Sequence, residues 1–173
     1  VTLKLSPLHA SGMDGKMAAG YRTALNGVIS GLDTTARTFL LTHASRRYAV
    51  QYAGVTDQTG LDTLLVRAQT DLLRARVRCQ SFDTRTTPAT CIAQTSGTQP
   101  LKAITVMAEG AISSLDTPTA HTFTLGYPVN KSLAVNDHEA FLRGAIEGVL
   151  ANGATVETAL YGFATDFFLA REV

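Results

Sequence analysis

The sequence has no tryptophan, only two cysteines and few charged residues, and none of its uninterrupted apolar runs exceeds five residues. A helix that crosses a membrane needs about 20 apolar residues in succession, so we expect no transmembrane segment. The net charge of +1 by itself predicts neither a nucleic-acid partner nor a strongly anionic one. The two cysteines have no histidine or second cysteine pair at ligand spacing, and they do not form a Cys-x-x-Cys motif. We therefore expect neither a metal site nor a cofactor.

Motifs of nucleophilic catalysis are also missing. The segments GVISG and GAISS place their serine one position too late for a Gly-x-Ser-x-Gly nucleophile elbow. The polar cluster Asp137–Glu139 has residue types that bind metals or transfer protons. Adjacent side chains in a turn seldom converge on one ion, however, and we interpret the cluster as the capped start of a helix. The sequence thus predicts no catalytic residue.

Short segments with an apolar residue at every second position, typical of half-buried strands, recur along the chain. One segment occurs twice, as LNGVISGLDTTARTFLL over residues 25–41 and as AEGAISSLDTPTAHTFTL over residues 108–125. Each copy reads as a strand, a turn that begins at an aspartate, and a second strand. Identical residues stand at equivalent positions: Gly27 and Gly110, Ile29 and Ile112, Leu32 and Leu115, Asp33 and Asp116, Phe39 and Phe123, Leu41 and Leu125. We infer an internal repeat.

The remainder of each copy follows a similar plan. LLRARVRC over residues 72–79 resembles FLRGAIEG over residues 141–148, and each leads into a further strand, at 90–95 or at 154–160. The segment GLDTLLVRAQTDLL predicts a helix with Asp62 as its N-cap. About five strands and a short helix or helical turn in each copy suit a small barrel of the oligonucleotide- and oligosaccharide-binding (OB) type.

The predicted fold is therefore all-β with one or two short helices, built as two tandem OB-like β-barrels from an internal repeat. We expect the first barrel over residues 25–105 and the second over residues 106–173. Residues 1–24 lie outside the repeat and are expected to pack on a barrel.

Cys79 and Cys91 flank the segment QSFDTRTTPAT. In a hairpin that turns near Arg85 they would lie directly opposite each other, and a cross-strand disulfide is then geometrically reasonable. The alternative is a neighbouring pair of buried, reduced thiols. A disulfide favours an oxidising compartment. In the corresponding hairpin of the second copy we expect Asn152-Gly153 to form a two-residue type I′ turn.

A cationic and aromatic surface is predicted on the first copy, where three arginines alternate with apolar residues along one strand. Together with nearby Arg and Tyr residues they suit a groove for phosphate backbone or acidic sugar, because OB barrels bind such polymers across an exposed sheet face. Alternatively, the tyrosines fill the core and the arginines serve solubility and edge protection. The candidate binding residues are Arg46, Arg47, Tyr48, Tyr52, Arg74, Arg76 and Arg78.

The pattern Gly-x-Ile-x-x-Leu-Asp followed by Thr-Phe-x-Leu resembles a bacterial envelope repeat family of unknown function, whose members look like tandem small β-barrels on secreted proteins and lipoproteins. The longer middle segment of the first copy, GVTDQTGLDTLLVRAQT, departs from the pattern and leaves another sandwich or barrel topology open. The resemblance implies a fold and an envelope location, and it assigns no catalytic residue. It rests on Gly27, Leu32, Asp33 and Phe39 and on Gly110, Leu115, Asp116 and Phe123.

These observations predict a non-enzymatic binding or structural module of the bacterial cell envelope, periplasmic or extracellular. Its expected partner is an envelope protein of unknown identity or an anionic polymer. Because the sequence begins at Val1 rather than Met, we expect that a leader or a lipid-anchored segment precedes it. The second hypothesis is an oligonucleotide- or anionic polysaccharide-binding protein that uses the Arg and Tyr face. The third is a hydrolase of unknown substrate that uses Asp137–Glu139.

Overall fold

The computed structural model describes residues 23–95, 102–115, 122–126, 132–136, 153, 155–164 and 167–172. These residues form ten strands and one helix, which confirms the predicted β-rich fold with a short helix. In chain order the elements are β1 Thr23–Asp33, β2 Thr38–His43, β3 Arg46–Gln51, α1 Leu61–Thr70, β4 Arg74–Asp83, β5 Ala89–Ala93, β6 Ile104–Leu115, β7 Thr122–Gly126, β8 Ser132–Asn136, β9 Thr155–Ala164 and β10 Phe167–Glu172.

The chain divides into two compact units, and the division does not follow the order of the sequence. The first unit runs to Asp57 and resumes over Arg76–Ile104. The second unit takes Gln58–Ala75 and the chain from Thr105 onward. Helix α1 therefore folds with the second unit, although it lies between β3 and β4 in the sequence.

Five strands of the first unit close into a barrel, which confirms the predicted β-barrel. β2 pairs antiparallel with β1 and β3, β5 runs parallel to β3 and antiparallel to β4, and β4 pairs with β1 to close the ring. In the first hairpin Ile29 pairs with Leu41, and both side chains are buried. The alternation of apolar residues that predicts these strands thus fills the barrel interior.

Two tight turns connect the first three strands. In the β1–β2 turn, Asp33 Oδ1 accepts hydrogen bonds from the main-chain N–H groups of Thr35 and Ala36, at 2.9 and 2.8 Å, as its turn-forming role predicts. In the β2–β3 turn, Ala44 and Ser45 have positive φ angles of 46° and 66°. Two successive positive φ angles characterise a type I′ turn, which favours Asn and Gly. Sequence patterns do not predict this turn, because Ala and Ser rarely adopt such angles.

The predicted disulfide between Cys79 and Cys91 is confirmed, with 5.3 Å between the two Cα atoms. The two cysteines are buried but are not directly opposite each other. β4 pairs Cys79 with Ala93 and Phe82 with Cys91. The register shifts between these two pairs because β4 carries a bulge near Gln80. The bond thus joins offset positions of the hairpin, on the face that lines the barrel interior.

In the second unit β6 pairs antiparallel with β7 and β9, β8 pairs antiparallel with β7 and parallel with β10, and β9 pairs antiparallel with β10. Ile112, Phe123 and Leu125 contribute to its buried core. The last hairpin of this unit is β9–β10. The turn predicted at Asn152-Gly153 belongs to a different hairpin, between segment 141–148 and the strand at 154–160. Gly153 precedes β9 with a φ angle of 65°, and the rest of that prediction lies, with segment 141–148, outside the described residues.

Helix α1 packs against β9. It is the predicted helix, and its buried residues follow the helical period of 3.6. The predicted N-cap is wrong, since Gly60 is the N-cap residue and Asp62 lies in the first turn. The buried residues of the helix are Leu61, Leu64, Leu65 and Ala68.

The segment that leads into α1 lies very close to β9. The main-chain N–H of Phe163 donates a hydrogen bond to the carbonyl oxygen of Thr59 at 2.8 Å. A Cβ atom on Gly60 would lie 2.2 Å from the carbonyl oxygen of Phe163, and one on Gly162 would lie 2.5 Å from that of Thr59. Real Cβ atoms do not approach oxygens so closely, so this contact requires glycine at both positions.

Three predictions fall outside the described residues. They concern most of the N-terminal segment 1–24, the FLRGAIEG segment at 141–148 and the polar cluster Asp137–Glu139. The hydrolase hypothesis, which depends on that cluster, stays a prediction.

Candidate ligand-binding groove

A groove of about 690 Å³ opens on the first unit between the start of β3 and the β4–β5 hairpin loop, residues 84–88. We call it the β3 groove. Its volume lies within the range of about 300–1,000 Å³ that is usual for ligand pockets. Two cations, two aromatic rings, three threonines and three apolar residues line it: Arg46, Arg47, Tyr48, Phe82, Thr84, Thr86, Thr87, Leu40, Pro88 and Ala89. The structure thus brings together three of the predicted binding residues, Arg46, Arg47 and Tyr48.

The groove forms because β3 begins before its parallel neighbour β5. The register of the two strands starts with Tyr48 beside Ala89. Arg46 and Arg47 therefore precede the paired part of β3, and the β4–β5 hairpin loop lies where a paired strand would otherwise continue. Arg46 pairs with His43 across the β2–β3 hairpin, so the tight turn between them fixes where the first cation stands.

Arg46 and Arg47 give the groove a positive charge that the described residues do not compensate. Both residues are exposed, and neither has an ion-pair partner in the part of the chain that the structure describes. The described lining residues include no Asp or Glu. Guanidinium groups bind carboxylate and phosphate oxygens through two parallel hydrogen bonds. The groove is therefore suited to an anionic ligand.

Three rings from three different strands lie in succession beside these cations. The ring centroids of Tyr48 and Phe82 are 5.6 Å apart with 39° between the ring planes, and those of His43 and Tyr48 are 6.3 Å apart with 57° between the planes. His43 Nδ1 donates a hydrogen bond to the main-chain oxygen of Asn26, which fixes the imidazole. Tyr48 and Phe82 are half-buried and line the groove, so each keeps part of its ring available to a ligand.

The hairpin loop that forms the opposite wall is held by its own hydrogen bonds. Arg85 donates from Nε and Nη2 to the two carboxylate oxygens of Asp83, each at 2.9 Å, and from its main-chain N–H to Oδ1 at 2.9 Å. Thr86 Oγ1 donates to the carbonyl oxygen of Asp83 at 3.2 Å and shares a hydrogen bond of 2.9 Å with Thr90 Oγ1. The loop is thus ordered before a ligand arrives, which lowers the entropy cost of binding.

The hydrogen bonds between Asp83 and Arg85 also shift the pKa values of both side chains. The hydrogen bonds from the Arg85 side chain, and then from its main-chain N–H, lower the pKa of Asp83 from 3.8 to about 2. The same carboxylate raises the pKa of Arg85. The pair is charged but internally neutral at neutral pH, so the positive charge of the groove comes from Arg46 and Arg47.

Tyr52 is not part of the groove. Its side chain is only 1% exposed, and its ring packs 5.7 Å from that of Phe39. The guanidinium carbon of Arg37 lies 4.9 Å from the centre of the Tyr52 ring, while Nη2 of the same arginine donates to the carbonyl oxygen of Val55 at 3.1 Å. Tyr52 therefore belongs to the barrel core, as the alternative interpretation of the tyrosines holds.

The β4 arginines form a separate stripe. Arg74 and Arg76 are exposed and Arg78 is half-buried, while the apolar residues between them are buried. None of the three lines the groove. Along a strand that rises about 3.3 Å per residue, Arg78 lies at most about 13 Å from Phe82 and Arg76 at most about 20 Å from it, because the bulge near Gln80 shortens the path. A ligand that fills the groove alone would not contact this stripe.

Sequence reasoning missed Phe82 and the three groove threonines, Thr84, Thr86 and Thr87. In the sequence, the segment FDTRTTP indicates only a hairpin connection between the cysteines. In an OB barrel the loop between the fourth and fifth strands borders the binding face, and this rule would have directed attention to it.

The structure adds two observations that bear on other hypotheses. Within the described ranges, no three His, Cys, Asp or Glu side chains gather as a metal site would require. Among the same residues, none of the helical structure has the length and apolar character needed to cross a membrane.

Comparisons with known protein families, curated proteins and solved structures found no match to this chain.

Proposed function

We propose that the protein is a non-enzymatic binding module that takes an anionic ligand into the β3 groove. The observation that carries this proposal is the position of Arg46 and Arg47, two exposed cations without an ion-pair partner among the described residues, beside the half-buried rings of Tyr48 and Phe82. Catalysis would require an acid, base or nucleophile in the groove. The described lining residues include no carboxylate, imidazole or thiol, so no general base lines the groove to activate the threonine hydroxyls or the Tyr48 phenol.

The architecture of the first unit supports this proposal. A small barrel of five strands, with a groove bordered by β3 and by the loop between the fourth and fifth strands, has the arrangement by which OB barrels bind oligonucleotides and oligosaccharides. The proposal therefore assigns the first unit to the OB-like class and an anionic polymer to its groove.

We further propose that the second unit is a duplicate of the first barrel. Val28 pairs with Thr42 in the first unit, and the repeat-equivalent Ala111 pairs with Gly126 in the second. β3 is parallel to β5, and β8 is parallel to β10, so among the described strands of each unit the third is parallel to the fifth. These correspondences support a tandem repeat of the same strand plan.

The last hairpin of each unit also corresponds. Leu160 pairs with Ala170 and Phe163 with Phe168, with a register shift between the two pairs, as in β4 and β5. By this alignment Leu160 and Phe168 stand where the first unit has its two cysteines. The rings of Phe163 and Phe168 meet edge to face with their centroids 5.0 Å apart. On this proposal, two buried apolar side chains, Leu160 and Phe168, stand in one copy where the other has its disulfide.

The proposed location is the bacterial cell envelope, periplasmic or extracellular. The disulfide supports it, because such bonds persist in oxidising compartments and are rare in the cytosol. The resemblance to an envelope repeat family agrees with it.

The test is binding of an anionic polymer, heparin, at low and at moderate salt by the intact chain and two charge-matched variants. The double variant Arg46→Ser/Arg47→Ser removes the groove cations, and Arg74→Ser/Arg76→Ser removes the same charge from the β4 stripe. We expect the first variant to lose most of its retention on the column and the second to keep it. Loss of retention only in the second would move the site to the β4 stripe, and no retention of the intact chain would overturn the proposal.

A further inference from the structure

Besides its two cations, the β3 groove contains aromatic and apolar side chains that binding of an anion does not require. These side chains indicate what kind of anionic ligand the groove takes. Two cations are enough to hold a sulfated or uronic sugar. The groove also presents two aromatic faces, Tyr48 and Phe82, and an apolar wall. Desolvating such surfaces is favourable only if the ligand has an apolar or π face to place on them.

The distribution of these groups along β3 suits a chain that alternates charges with planar rings. Arg46 and Arg47 lie at the start of the strand and Tyr48 follows immediately, with its ring 5.6 Å from that of Phe82. In single-stranded nucleic acid every nucleotide contributes one phosphate and one base. Proteins bind such strands with cationic grooves in which the bases stack on aromatic side chains. Thr84 and Thr87 provide hydroxyl groups that can donate to or accept from base edges, whereas the Thr86 hydroxyl is engaged with Asp83 and Thr90 within the loop.

We propose that the β3 groove binds a short stretch of single-stranded nucleic acid, with its phosphates on Arg46 and Arg47 and a base against the rings of Tyr48 and Phe82. This inference rests on the proposed function of the groove and specifies its ligand. Recognition is largely independent of sequence, because every base has a face that can stack. The apolar wall of the groove, formed by Leu40, Pro88 and Ala89, excludes water from the stacked base.

The experiment compares probes that are all anionic but differ in whether they contain planar rings. An oligothymidylate of about 12 nucleotides falls within the site sizes of OB folds, and an oligouridylate of the same length separates DNA from RNA as the source. Inorganic polyphosphate of matched charge has no rings, and heparin represents the anionic polysaccharides. Affinities are measured by fluorescence anisotropy or calorimetry over a range of salt concentrations, with the full chain.

Two variants separate stacking from charge. Tyr48→Leu and Phe82→Leu each keep an apolar side chain and remove a ring, and we expect each to weaken oligothymidylate binding by about fivefold or more while polyphosphate binding is unchanged. Arg46→Ser/Arg47→Ser should weaken the binding of both oligothymidylate and polyphosphate. For oligothymidylate the slope of log K against log salt should become shallower by about 1.4, because each of the two lost phosphate contacts accounts for about 0.7. Arg74→Ser/Arg76→Ser is the matched control and should leave the slope unchanged. Because two different rings are removed one at a time, the test does not depend on the folding of a single variant.

The outcomes distinguish this inference from the proposed function. If heparin or polyphosphate binds through Arg46 and Arg47 and the ring variants bind oligothymidylate like the intact chain, the anion groove stands and the nucleic-acid assignment is overturned. If no probe binds, both are overturned. Weaker oligothymidylate binding in both ring variants, with polyphosphate unaffected, supports the assignment.

Discussion

Gly27 of β1 lies against the main-chain carbonyl of Thr42 on β2, so closely that a Cβ atom on Gly27 would stand 1.9 Å from the Thr42 oxygen. In the second unit Gly110 has the same relationship to Gly126, at 2.1 Å. Both glycines are interior residues of strands. The repeat therefore retains glycine because two backbones approach each other closely there, and the turn of the first hairpin depends on Asp33 instead.

Replacing Gly110 with alanine should destabilise the protein by about 1–3 kcal/mol, because the new methyl group requires the β6 and β7 backbones to separate. Gly27→Ala should have a similar effect in the first unit. Gly126→Ala is the matched control, since its Cβ would lie 3.5 Å from the nearest atom, the Ala111 oxygen, and no strain is expected. Urea denaturation of the three variants measures the difference. Equal stability of Gly110→Ala and Gly126→Ala would contradict the close approach.

Gly60 and Gly153 allow a second comparison, because both have a φ angle of +65°. Gly153→Ala meets nothing within 4 Å and should lose only about 1–2 kcal/mol from the left-handed conformation. Gly60→Ala carries the same backbone cost and in addition places a methyl group 2.2 Å from the Phe163 carbonyl oxygen. We expect it to be the more destabilising by about 1–3 kcal/mol in thermal or chemical unfolding. Indistinguishable variants would show that α1 does not need this contact with β9.

Removing the disulfide should weaken the first unit. The two cysteines are 12 residues apart in the sequence. In the chain-entropy description, closing a loop of that length adds about 3 kcal/mol to the free energy of unfolding. The variant Cys79→Ala/Cys91→Ala should unfold at correspondingly lower urea concentration. Mass spectrometry of the unreduced chain should show the loss of two hydrogen atoms, and denatured protein should not react with thiol reagents. Full thiol labelling of the unreduced, unfolded chain would refute the bond.

The Asp83–Arg85 pair should make the β4–β5 loop sensitive to acid. The folded-state pKa of Asp83 is about 2, below its ordinary value of 3.8, so folding favours the carboxylate. The resulting stabilisation is fully present above pH 3.8 and is lost as the pH falls through about 2. A carboxyl NMR titration should give this low pKa in the intact chain and a value closer to 3.8 in Arg85→Ser. An unchanged Asp83 pKa in that variant would exclude Arg85 as the cause.

The β2–β3 turn is strained and can be relieved. Ala44 and Ser45 both have positive φ, each at a cost of about 1 kcal/mol or more for a non-glycine residue. Ala44→Asn/Ser45→Gly supplies the preferred residues of a type I′ turn, and we expect it to raise the free energy of unfolding by about 1 kcal/mol. Ligand affinity should be unchanged, since neither residue lines the β3 groove and the variant keeps the type I′ geometry that positions Arg46. A less stable variant would show that neighbouring packing sets these angles for another reason.

Local patterns predicted those features that depend on neighbours in the sequence. Alternation predicted the buried faces of β1 and β2, the 3.6-residue period predicted α1, and the position of Asp33 predicted the first turn. The spacing of Cys79 and Cys91 around a hairpin predicted their bond. Each of these is decided by interactions within about fifteen residues, where chain geometry leaves few alternatives.

The candidate site was predicted only in part. Arg46, Arg47 and Tyr48 were identified because charged and aromatic residues are adjacent in the sequence. Tyr48 and Tyr52 are four residues apart, so alternation places them on the same face of one strand. Yet Tyr48 borders the groove and Tyr52 fills the core. Tyr48 lies near the start of β3 and Tyr52 directly after its end. The pairing of β3 with β2 and β5 decides where the strand begins and ends, and it joins residues that are distant in the sequence.

By itself, the amino-acid sequence determined that this chain builds antiparallel hairpins, the short helix α1 and a disulfide, because those follow from residue period, turn chemistry and spacing. The tertiary structure alone decided that β3 starts ahead of β5 and leaves a groove, that the β4 arginines stand apart from it, and that Gln58–Ala75 folds with the second unit. These are consequences of strand register and of long-range packing. They depend on residues distant in the sequence meeting in space, such as Gly60 and Phe163.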